Sequence, residues 1–130
     1  MANTNELLIS ARDAESLSLV LGERRPLADS DAASALADVL MEARLVPHED
    51  LPADRVAMNS RVTYEEHPGG RRRTVVLVHP AHADATVGRV SVLSPIGRAL
   101  LGRQPGATID AGASIGRALR IRILSADNPS

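Results

Sequence analysis

A chain of 130 residues without a single cysteine has room for one modest core and no material for a disulfide framework or a thiolate metal site. With one tyrosine and neither Phe nor Trp, it also lacks the side chains for an aromatic-lined pocket or a base-stacking platform. The formal net charge of −1 hides an asymmetry: residues 1–52 hold ten acids against four arginines, and residues 53–130 hold six against eleven.

Residues 1–9 read as a lead-in. Ser10, with Asp13 three positions on, makes a capping-box-like helix start, and Ala14, Leu17 and Val20/Leu21 then repeat at helical spacing as far as Gly22. Glu23 to Pro26 is a turn. A second helix is expected from Asp29–Asp31, with Ala33, Leu36, Leu40 and Ala43 on one stripe, ending before Pro47. Two such helices with a short connection should lie antiparallel as a hairpin, and neither is long enough to be stable alone. Pro47 to Asp54, rich in prolines and acids, reads as a linker that divides the chain into a hairpin part, 1–52, and a sheet domain, 53–130.

Beyond it the periodicity becomes strand-like. Val62 and Tyr64 lead into the His67-Pro68-Gly69-Gly70 turn, and the β-branched run Thr74–Val78 suits a central strand. Arg89 to Leu93 is the next strand. Ser94 is then a fitting N-cap, Pro95 suits the first helical position because its missing N–H is an orphan there anyway, and Gly102 supplies a stop. Gln104-Pro105-Gly106 turns the chain into a short strand at Thr108 and Ile109. Leu119 to Ile123 alternates apolar residues with Arg120 and Arg122, one face of each kind. The plan is α+β, with one short helix on one face of an antiparallel sheet.

Three blocks carry a resemblance. Val90 to Gly106 (VSVLSPIGRALLGRQPG) is similar to the signature of the C-terminal domain of the Gre transcription factors and their small Rnk-type members; Val56 to Val62 (VAMNSRV) looks like the opening of that domain, and Leu77-Val78-His79-Pro80 like one of its strand ends. The resemblance covers roughly Leu7 to Leu124. It implies an FKBP-like sheet domain behind a helical hairpin and a transcription regulator whose partner is RNA polymerase, docked near the secondary channel, with no enzymatic chemistry, cofactor or metal of its own. Ser94, Pro95, Ile96 and Gly97 are the candidate contact, with Ile96 expected as an exposed apolar anchor beside a rigid proline. A capped helix needs the same residue types whatever it binds.

Glu23, Asp29 and Asp31, near the expected hairpin tip, invite comparison with the tip carboxylates through which Gre factors hold a catalytic metal. Twelve helical residues reach only ~18 Å, however, and Asp29 and Asp31 are well placed simply to cap a helix, so transcript cleavage is the alternative reading and not the preferred one. An interaction module for another protein is a further alternative. His79, His82 and Asp84 could be drawn as metal ligands, but read more simply as a surface loop. Arg71-Arg72-Arg73 and Arg117, Arg120 and Arg122 suggest a solvated basic face or attachment to an acidic partner surface; without aromatics, direct nucleic-acid recognition is not expected. An FKBP-like fold alone would not license prolyl isomerase chemistry, and Tyr64 is the only aromatic side chain on offer. No apolar run is long enough for a membrane span or a signal peptide, so a cytoplasmic monomer is expected.

Overall fold

The computed structural model describes residues 6–22, 30–112 and 118–128. The expected lead-in is a strand at its inner end. β1 (Leu8–Ser10) pairs in parallel with β2 (Arg44–Val46), Leu8 opposite Arg44 and Ser10 opposite Val46. Leu7 and Ile9 are both buried, Ile9 to 2% exposure. Between the two strands the chain runs through α1 (Ala11–Gly22) and α2 (Ser30–Glu42), which touch one another. The Ser10 hydroxyl oxygen accepts the Asp13 N–H at 3.0 Å, the cap expected from sequence. α2 stops at Glu42, four residues earlier than Pro47 requires, because Arg44–Val46 is taken up by the pairing with β1.

The main sheet has five strands in the order β5-β4-β3-β7-β6. β3 (Arg61–His67) and β4 (Arg71–Val78) form a hairpin closed by Pro68-Gly69-Gly70, where both glycines take positive φ, +107° and +70°. β7 (Arg120–Asp127) lies antiparallel on the other side of β3 with an irregularity at Thr63/Tyr64, and β6 (Thr108–Asp110) pairs antiparallel with β7. β5 (Arg89–Ser91) departs from the all-antiparallel expectation: it runs parallel to β4, Val76 opposite Arg89 and Val78 opposite Ser91. Residues 79–88 make that crossover through two single 3-10 turns, Pro80–His82 and Ala85–Val87, the second ended by Gly88 at φ +73°.

Alternation along the strands gives the sheet two unlike faces. Val62, Tyr64, Val75, Leu77, Ile121 and Ile123 point inward and are buried. Thr63, Glu65, Arg72, Arg120 and Arg122 belong to the outer face. The inward face packs into one core with Leu100 and Leu101 and, from the N-terminal part, Ile9, Leu17 and Leu36. The helix pair is therefore joined to the sheet through a shared core.

Polar contacts reinforce that joint where a linker was expected. After a 3-10 turn at His48–Asp50, the buried Arg55 donates through Nη1 to the carbonyls of Glu6 (2.8 Å) and Gly102 (2.9 Å). Gly102 O also accepts from Leu8 N (3.1 Å), and Gly102 N donates to Val56 O (2.9 Å). The Asp13 carboxylate does not return to its own helix end, as a capping box would have it; it accepts Met58 N at 3.0 Å, in the turn that precedes β3. Arg55→Met should lower stability by about 2 kcal/mol, the usual worth of hydrogen bonds from a charged group, as measured by urea unfolding.

Tyr64 is 3% exposed, and burial, assisted by the charge of Glu66 and opposed by Arg73, raises its hydroxyl above the ordinary tyrosine value. Ionisation thus disfavours the folded state: the stabilisation is complete below pH about 10, the unfolded value, and is lost as pH rises through the higher folded one. The measured stability should fall on that alkaline side, and Tyr64→Phe should remove this part of the fall.

Candidate functional site

The three motif blocks, separated by up to thirty residues of chain, come together at one end of the sheet. Ala57 to Ser60 forms a tight turn in which Ser60 Oγ accepts Ala57 N at 2.8 Å and Ala57 O accepts Ser60 N at 3.1 Å. Asn59 sits in it at φ +70°, a conformation asparagine tolerates better than most residues, and is exposed. Asn59 N donates to Leu77 O (2.6 Å) and Leu77 N to Ser60 O (3.0 Å), which ties the first block to the second. Val92 N donates to Val78 O at 3.0 Å, tying the second to the third.

The third block is organised by two serines. Ser94 at φ −70°, ψ 157° opens α3 (Pro95–Leu100): its Oγ accepts Gly97 N at 3.0 Å while its hydroxyl donates to Ser91 O at 2.7 Å. Ser91 Oγ accepts Leu93 N at 3.0 Å, and Arg98 Nη1 donates to Leu93 O at 2.8 Å. The turn is held at both ends by side chains, so its shape is fixed before any partner arrives. α3 closes at Leu101, one residue ahead of the expected stop, and Gly102 follows at φ +80° as part of the Arg55 joint.

Gly97 is where helix and strand meet backbone to backbone. A Cβ there would stand 2.0 Å from Ser91 O, 2.9 Å from its carbonyl carbon and 3.1 Å from Leu77 Cδ1. Ile96 differs from expectation: it is half-buried and packs against the core instead of standing free, because α3 is covered by α2. Ser94 and Pro95 are likewise half-buried and leave only part of their surface to solvent.

The family model for the C-terminal region of the transcription elongation factors GreA/GreB matches residues 51–128, which contain all three blocks. The chain belongs to the GreA/GreB family. The regulator of nucleoside diphosphate kinase of Escherichia coli strain K12 is 36% identical over 103 residues, 79% of this chain and 75% of that one. Transcription elongation factor GreA of Syntrophomonas wolfei is 35% identical over 82 residues, 63% of this chain and 52% of its own, so the chain spans about half the length of that GreA. Among solved structures, a transcription elongation factor GreA/GreB from Nitrosomonas europaea superposes with a TM-score of 0.73 at 29% identity, covering 94% of this chain and 98% of that one.

Asp31 is exposed in the first turn of α2; Glu23 and Asp29 lie outside the described residues, as does Arg117. His79 Nδ1 accepts Ala81 N at 3.0 Å, and Asp84 Oδ1 accepts both Thr86 N (3.0 Å) and the Thr86 hydroxyl (2.5 Å). Those Thr86 bonds hold the Asp84 carboxyl below its usual range. These side chains cap their own 3-10 turns, and no group of three or more metal-ligating residues occurs among the described residues. Arg72 and Arg73 pair with Glu65 (3.3 Å) and Glu66 (3.2 Å) across the hairpin. No helix among the described residues is long and apolar enough to cross a membrane. The contact no motif announced is Asp13 to Met58 N: a helix-start carboxylate gives no sequence signal that it will reach a turn forty-five residues away.

Proposed function

We propose that this protein is a regulator that binds RNA polymerase, with residues 53–130 forming an FKBP-like docking domain and residues 1–52 a helical hairpin directed at the secondary channel. The surface around Ser94, Pro95, Ile96 and Gly97 makes the contact. It does so without stimulating transcript cleavage and without catalysis of its own. What carries the reading is that the three blocks matching the GreA/GreB C-terminal region meet at one pre-shaped turn. A rigid proline beside a doubly anchored serine loses little entropy on docking. The helices favour regulation over cleavage: α1 has twelve residues and reaches ~18 Å, a short arm for delivering carboxylates to a distant metal.

The test is binding of the whole chain to core RNA polymerase with GreA as competitor. Saturable binding that GreA displaces, and that Pro95→Ala weakens without loss of thermal stability, is expected. Absence of binding would overturn the reading. Stimulated RNA cleavage that disappears in Asp29→Ala/Asp31→Ala would replace it with the cleavage-factor alternative. Pro95→Ala serves better than a change at Ile96, whose side chain contributes to the core.

A further inference from the structure

The opposite end of the strands from the Ser94 turn carries a second concavity. His67, Pro68, Asp110, Ala118, Leu119 and Arg120 line a cleft of about 390 Å³, within the roughly 300–1,000 Å³ span of small-molecule sites. Its charged groups are set by sheet register: His67 lies opposite Arg120 on β7, and Arg120 opposite Asp110 on β6, so the three form one row across neighbouring strands.

Each member keeps hydrogen-bonding capacity in reserve. His67 Nε2 is engaged with Glu65 Oε1 at 2.8 Å, which leaves Nδ1. Asp110 Oδ1 accepts Gly112 N at 3.0 Å, which leaves Oδ2. Among the described residues the Arg120 guanidinium has neither an ion pair nor a hydrogen bond, although a carboxylate stands opposite it. Arg122 follows two residues along on the same face, and the nearby Glu65 is already held by Arg72 at 3.3 Å. Pro68 and Ala118 supply apolar wall, while the Leu119 side chain is buried in the core.

We propose that this cleft binds a small phosphate-bearing ligand of the nucleotide type. Arg120 presents a planar fork that matches two phosphate oxygens, and the free nitrogen of His67 stands one strand away as a second donor when protonated. Asp110 repels a second bare anion but accepts from sugar hydroxyls or an exocyclic amine, so a ligand with phosphate at one end and donors at the other suits the row better than a simple dianion does. Pro68 and Ala118 cover the ligand's apolar body. The chain has neither Phe nor Trp and Tyr64 is buried, so none of the larger aromatic rings can stack a base and the phosphate contact dominates affinity.

The experiment is an NMR titration of the full chain with adenosine 5′-diphosphate, pyrophosphate and adenosine, followed by Arg120→Gln and, as a charge control at the other edge of the sheet, Arg89→Gln. Saturable shifts confined to the neighbourhoods of His67, Asp110 and Arg120 are expected, strongest with the diphosphate nucleoside and absent with adenosine. Arg120→Gln should weaken that binding roughly tenfold and Arg89→Gln should leave it unchanged. Thermal midpoints of both variants establish that each is folded. No saturable shift at millimolar nucleotide would overturn the proposal. So would equal losses in the two variants, or an RNA oligonucleotide that displaces the nucleotide and spreads its shifts over the whole outer face; either result would mean diffuse charge attraction.

Discussion

Gly97→Ala should be strongly destabilising, with a loss of about 3 kcal/mol and a melting point lower by roughly 10 °C. The added carbon would lie 2.0 Å from Ser91 O and 2.9 Å from Ser91 C, and both are backbone atoms of the strand on which α3 rests. A flexible side chain could swing away; a backbone carbonyl that already accepts the Ser94 N–H (3.0 Å) and the Ser94 hydroxyl (2.7 Å) cannot move without giving up those bonds. The helix must therefore lift, which withdraws the Ser94 cap from Gly97 N and loosens Leu100, which is 0% exposed. Helix propensity alone would have the substitution stabilise by up to about 1 kcal/mol, so the sign of the result separates the two effects. Gly22→Ala, with nothing within 4 Å of the new carbon and no positive φ, is the control and should be neutral or slightly stabilising. Circular dichroism melts of the two variants beside the parent chain decide the matter.

The second large effect is expected at Leu36. It sits on α2 with 0% exposure, inside the same cluster as Leu77, Leu100 and Ile121. Leu36→Ala removes buried methyl groups and leaves a cavity that packed neighbours only partly refill, at about 3 kcal/mol. Because the core is shared, that loss should not melt the helix pair alone. Helical ellipticity and the near-ultraviolet signal of Tyr64 should move together to a lower denaturant midpoint, as a single transition. Two separated transitions would mean that residues 1–52 fold apart from the sheet.

What could be read from the sequence follows from how strongly each segment repeats. The Ser94-Pro95 cap, the β-branched run to Val78 and the alternation of Leu119 to Ile123 each carry a local signal, and each forms the element expected of it. β1 and β2 are three residues each, too short for a period-two pattern to stand out from a lead-in and a helix end. The parallel seat of β5 was hidden because its crossover uses two 3-10 turns where a crossover helix would have announced itself. Ile96 carries the apolar character of a docking anchor, and only the arrival of α2 over α3 decides that it serves the core. The Asp13 contact to Met58 N and the cleft row of His67, Arg120 and Asp110 depend on register and long-range packing, on which single-residue patterns are silent.

The order of strands in the sheet also bears on how the protein is made. β7, the last strand of the chain, is seated between β3 and β6, with Arg61 paired to Asp127 and His67 to Arg120. On the ribosome, β3 and β4 emerge early as a hairpin with one edge open, and from Val78 they wait until Arg120–Asp127 has been made before that edge is filled. The sheet is completed only as synthesis of this region ends. During that interval the inward side of the hairpin, with Val62, Leu77 and the lone tyrosine, is exposed to whatever stands near the exit tunnel, so this is the stage at which a nascent-chain chaperone would matter most.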